Sequence, residues 1–94
     1  MTFTEFKQSL GDNNPPAGIN KLLQSLWYDA KDNWDKAHDI AQDISTADGS
    51  LLHAYLHRVE GDDWNAGYWY DRAGESRFAG SLDEEWQTLV KRFL

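Results

Sequence analysis

Apolar residues along this chain recur every three or four positions, the spacing that places them on one face of an α-helix. Phe3, Phe6 and Leu10 form the first stripe, and Thr2 with Glu5 has the spacing of a capping box that starts a short helix. The run GDNNPPAG, Gly11 to Gly18, then gathers residues that a helix interior rejects and reads as a loop. Beyond it, Ile19, Leu22, Leu23, Leu26, Trp27 and Ala30 make one stripe, and after Asp32 and Asn33 a second follows with Trp34, Ala37, Ala41 and Ile44. So short a break joins two helices as an antiparallel hairpin. A break at TADG, Thr46 to Gly49, leads to another pair: Leu52, Tyr55, Leu56 and Val59, then an EGDD turn, then Ala66, Trp69, Tyr70 and Ala73. Leu82, Trp86, Leu89, Val90 and Phe93 close the chain as an amphipathic helix, with Ser81 and Glu84 as its capping box and Lys91 and Arg92 at the negative end of its dipole.

The two pairs superpose in register, Leu26 on Tyr55, Ala30 on Val59, Ala37 on Ala66, Ile40 on Trp69 and Ala41 on Tyr70, which reads as a degenerate hairpin repeat. No segment alternates β-branched residues, so a sheet has little to build on. The expected fold is all-α: a compact bundle of antiparallel helical hairpins, over about 19–45 and 49–74, with a capping helix at about 81–94. Ninety-four residues suit one domain. Five Trp, four Tyr and four Phe supply bulky fillers for its core.

Charge changes the picture of partners. Sixteen acidic residues against nine Lys and Arg leave a formal charge of −7, which repels phosphate backbones and anionic headgroups, so neither nucleic acid nor a membrane is expected as a partner. The chain has no cysteine, hence no disulfide and no thiolate ligand or nucleophile. Without a secretory signal or a spanning apolar run, a cytoplasmic location is the default expectation.

Two resemblances follow from particular words of the sequence. NAGYWYDRAG, Asn65 to Gly74, resembles the second helix of tetratricopeptide-like repeats, with Ala66, Trp69, Tyr70 and Ala73 in the corresponding places. LWYDAKDNWDKAHDIAQD followed by HAYLHRVEGDDWNAGYWYDRAG is similar to a family of small bacterial proteins to which no reaction is assigned. That likeness spans roughly residues 8 to 78. It implies a helical fold and points to His38, His53, His57, Arg58, Glu60, Gly61, Asp62, Asn65 and Trp69 without giving them roles.

The residues themselves suggest the chemistry. His53 and His57 are one helical turn apart, with Glu60 a turn further, a spacing from which imidazoles grip a metal ion if a third ligand, His38 or Glu60, converges on them. If His38 and Arg58 reach the same space, three histidines and a guanidinium form a cationic pocket for a carboxylate or phosphate. The bland alternative is a structural hydrogen-bond network. EGDDWN lacks the alternating ligands of a calcium loop and reads as punctuation: Gly61 ends one helix, Asp62 or Asp63 caps the next and Asn65 bridges the turn. Trp27, Trp34, Trp69 and Trp86 fall on apolar stripes and are expected in the core, whereas Trp64, Tyr68 and Arg72 fall off theirs and have the composition of a partner-binding patch. No nucleophile elbow or phosphate-binding glycine loop is present, so catalysis has little support. The expected function is a non-catalytic binding or scaffold module for a protein, peptide or small anionic ligand. Its candidate site is His38, His53, His57, Arg58, Glu60 and Asn65, no cofactor is required, and metal binding by His53 and His57 is the alternative.

Overall fold

The same turn occurs twice in the computed structural model, which describes residues 1–94. Helix α2 (Lys21–Ala30) joins α3 (Trp34–Gln42), and α4 (Ala47–Val59) joins α5 (Asp63–Ala73), through equivalent three-residue links. In the first, Lys31 ends the helix, Asp32 takes a left-handed φ of 60° and the Asn33 side chain caps α3 by accepting from the Lys36 amide. In the second, Glu60, Gly61 (φ 83°) and Asp62 take the same three roles. The backbone bonds also correspond, the amide of Asn33 donating to the Tyr28 carbonyl and that of Asp62 to the His57 carbonyl, both at 2.9 Å. The left-handed residue is a glycine in only one copy. Aspartate is among the few other residues that tolerate that region.

The remaining elements are α1 (Phe3–Gln8), a 3-10 turn at Ser9–Gly11, and α6 (Leu82–Phe93), so the molecule is an all-α helical bundle as the periodicity predicts. Both expected capping boxes are formed, Thr2 with Glu5 and Ser81 with Glu84. The TADG break needs correction. Thr46 caps α4, and Ala47, Asp48 and Gly49 are its first turn. Gly49 is buried against Ile44, where a Cβ would collide with backbone, so the glycine serves a close approach and not a helix stop.

One contiguous core draws on every helix: Phe6, Leu26, Trp27, Ala37, Leu52, Leu56, Ala66, Tyr70, Val90 and their neighbours. Helix α4 runs through its middle, buried continuously from Gly49 to Leu56. Each hairpin packs chiefly on itself, α3 lies against α4, and α6 covers α2 and α4. The Trp86 indole donates to the Leu26 carbonyl at 3.0 Å, and the Asn20 amide donates to the Phe93 carbonyl at 3.0 Å, pinning α6 at both ends. No helix is long and apolar enough to cross a membrane.

Candidate functional site: a three-histidine cluster

A helix buried on all sides carries its polar residues into contact with its neighbours, and α4 does so with two histidines. His53 and His57 share one side of α4, and the packing of α3 on α4 brings His38 to face them. The Nε2 atoms of His53 and His38 are 2.8 Å apart, one donating and the other accepting. His57 Nδ1 donates to Glu60 Oε1 at 2.7 Å. One ring nitrogen from each of the three histidines lies within 4.8 Å of those from the other two.

Flat rings enclose this cluster. Trp34 stacks on His38 with centroids 4.8 Å apart and planes 15° apart; Trp69 stacks on His53 at 4.0 Å and 16°. His53 also lies near-parallel to His57 at 4.8 Å. Trp34 is fixed in turn by its indole, which donates to the Leu56 carbonyl at 2.7 Å. Both tryptophans are only half-buried. They flank the histidines at the edge of the core, whereas Trp27 and Trp86 are buried within it as expected. Trp34 and Trp69 pack against the core as expected and in addition stack on His38 and His53.

Burial sets the protonation of the rings. His53 is 6% exposed, and its pKa is lowered to about 4, first by burial and then by the neighbouring imidazoles His38 and His57. His38 moves the same way, first through burial and next through His57, against the opposing pull of Asp39, Glu60 and Asp35. At neutral pH the His38–His53 pair therefore presents neutral imidazoles, the form that ligates metals.

Arg58 does not join the histidines. One residue beyond His57 is about 100° further around the helix, and that rotation turns its guanidinium to α6. There it donates to Glu85 Oε1 at 2.9 Å and to the Gly80 carbonyl, beside the Phe78 ring. The expected cationic pocket of three histidines plus arginine is thus not assembled. Asn65 is also spoken for, its amide donating to Asp62 Oδ2 at 2.6 Å across the α4–α5 turn. Trp64, 76% exposed, and Tyr68 lie on the surface, where with Gly67, Asp71 and Arg77 they line a shallow groove. Arg72 is exposed too, its guanidinium 5.2 Å from the Trp69 ring and bonded to the Tyr68 hydroxyl at 3.2 Å.

Sequence reasoning overlooked Glu85. It is 1% exposed, pairs with Arg58 and accepts from the Tyr70 hydroxyl at 2.5 Å. Burial first, and then this bond to a carboxylate, pushes the ionisation of Tyr70 well above the ordinary tyrosine range. The signal was present: Glu85 falls on the apolar stripe of α6, four before Leu89 and eight before Phe93, where a carboxylate requires a buried partner.

No family model, curated protein or solved structure matches the chain, so the class of this protein is defined by its fold and its side chains alone: a small all-α bundle with a cluster of three histidines.

Proposed function

We propose that the chain is a small helical binding module, and that the ligand its histidine cluster suits best is a divalent transition-metal ion such as Zn²⁺, held by His38, His53 and His57. The observation that carries this reading is the convergence of three ring nitrogens within 4.8 Å. Metal–nitrogen bonds of about 2.0–2.1 Å at tetrahedral angles set ligand atoms roughly 3.3 Å apart. For both rings to hold an ion through Nε2, the His38–His53 hydrogen bond would have to open and its donor ring take the Nδ1–H tautomer.

The surroundings suit the task. With Glu60 accepting from His57 Nδ1, the lone pair left for the ion is on Nε2, the carboxylate–histidine arrangement that commonly orients metal ligands. Imidazole ligands favour zinc, copper or nickel over magnesium or calcium, which prefer oxygen. Because Arg58 is engaged by Glu85, the histidine cluster offers a bare carboxylate or phosphate no guanidinium.

A second reading concerns protein partners. The matching hairpin turns support the tetratricopeptide-like comparison, and the exposed Trp64 with Tyr68 and Arg72 gives α5 a face for a protein or peptide. Calorimetric titration of the metal-free protein with Zn²⁺ separates the two. Metal binding predicts one ion per chain at a Kd of about 1 µM or tighter, lost in His38→Ala and His53→Ala variants that keep their helical circular dichroism. Heat of dilution alone defeats it.

A further inference from the structure

Across α4 from the histidines, roughly 200° around the same helix, Tyr55 and Val59 form the floor of a cleft of about 380 Å³. Leu10 from the 3-10 turn and Leu82 and Trp86 from α6 complete its apolar walls. Such a volume is at the lower end of small-molecule sites. Set into this apolar surface is Asp29, half-buried at the end of α2, one oxygen accepting from the Tyr55 hydroxyl at 2.6 Å. Burial pushes its carboxyl above the ordinary range against the lowering effect of that hydrogen bond, and the like charge of Asp32 adds to the rise. Asp32 and Asp83, both exposed, stand on the rim.

The charge of this cleft is not balanced from within. The molecule's four ion pairs all lie elsewhere, and although Lys7 also lines the cleft, its ammonium pairs with none of the three carboxylates. A half-buried carboxylate with one hydroxyl partner and no counter-ion carries a desolvation cost that an arriving cation offsets. The apolar walls give that cation's body a place that water fills poorly. An inorganic ion uses the charge and leaves the walls wet; a neutral apolar molecule uses the walls and leaves the charge unmatched. Only a ligand carrying both features uses all of the cleft.

We propose that the cleft bounded by Asp29, Tyr55, Leu82 and Trp86 binds small organic ammonium ions, a primary amine carried on a short apolar body. The ammonium lies against Asp29 between the rim carboxylates, and the hydrocarbon rests on Trp86, Leu82 and Val59. The site is independent of the histidine cluster.

The test compares 2-phenylethylammonium with its neutral counterpart 2-phenylethanol by amide and indole NMR shifts. The amine is expected to bind at least ten times more tightly than the alcohol, with shifts concentrated at residues 7–10, 29–32, 55–59 and 82–86. Asp29→Asn, whose amide oxygen still accepts from Tyr55, is expected to lose at least tenfold in amine affinity, and Asp71→Asn, which removes an exposed carboxylate on α5 outside the cleft, to retain it. Should Asp29→Asn fail to fold, the exposed pair Asp32→Asn with Asp83→Asn carries the test, with a loss of about threefold or more expected from weakened steering. Equal affinity for amine and alcohol, shifts scattered over other faces, or carboxamide variants that bind as well as the parent overturn the proposal.

Discussion

Two polar clusters flank α4, and they are built on opposite principles. On one side Glu85 is buried with a complete set of partners: the Arg58 guanidinium neutralises it, the Tyr70 hydroxyl satisfies its second oxygen, and the Gly80 carbonyl takes another arginine hydrogen. On the other side His38 and His53 are bonded to each other, His57 is bonded to an exposed glutamate, and burial keeps His53 uncharged. The first cluster is chemically closed and locks α6 onto α4 and α5. The second is looser: His38 and His53 serve each other, His57 serves Glu60, and no charged partner holds the three rings together. The first network has only internal partners and is a matter of stability; the second is where the proposed metal site rests on the convergence of three ring nitrogens.

The widest separation between them is expected on removing Glu85. Glu85→Ala leaves Arg58 and the Tyr70 hydroxyl without their acceptor and should cost roughly 2 to 4 kcal/mol, at the lower end because Arg58 is partly exposed. Chemical denaturation reads that loss, and Zn²⁺ affinity measured where the variant is folded should not move. A variant as stable as the parent contradicts the locking role.

Acid should sort the clusters next. The folded pKa of His53 is about 4, below its unfolded value of 6.5, so between these values the unfolded chain binds a proton that the folded chain refuses. Its contribution is therefore intact above pH 6.5 and is lost as pH falls towards 4, a decline of roughly 1 to 3 kcal/mol, to which the lowered His38 adds with the same sign. Denaturation curves from pH 7 to pH 4.5 measure the slope, which should flatten in His53→Gln. A flat profile in the parent rules out a neutral buried imidazole.

Glu60→Gln probes orientation alone. The glutamine amide still reaches His57 but no longer fixes its tautomer, so Zn²⁺ affinity should fall about tenfold, while the midpoint of thermal unfolding stays in place because Glu60 is exposed. An unchanged affinity removes Glu60 from the site. The smallest effect belongs to the outer face of α5: Trp64→Ala should leave stability within about 0.5 kcal/mol of the parent and leave metal affinity untouched. A larger loss of stability means that the ring is packed in solution.

Periodicity made the helices, both hairpins and the capping boxes legible, because each depends on residues a few positions apart. It also brought His38 into consideration beside His53 and His57. What it missed depends on rotation about α4. A stripe drawn on one helix does not say which neighbour covers each flank, so Arg58 was grouped with His57 although 100° of helix directs it to Glu85. Trp34 and Trp69 share their apolar stripes with true core residues, and only the meeting of α3, α4 and α5 turns their faces to imidazoles. Gly49 looked like a breaker because nothing local reveals that Ile44 presses against it. Glu85 was within reach of the sequence, as an acid at an apolar stripe position.

The central claim is that His38, His53 and His57 act as one ligand set, and X-ray absorption at the zinc edge of the loaded protein tests it most directly. The account predicts a first shell containing three imidazole nitrogens at about 2.0–2.1 Å, falling to two when His38 is replaced by alanine. A shell of oxygens alone, or one indifferent to that replacement, contradicts it.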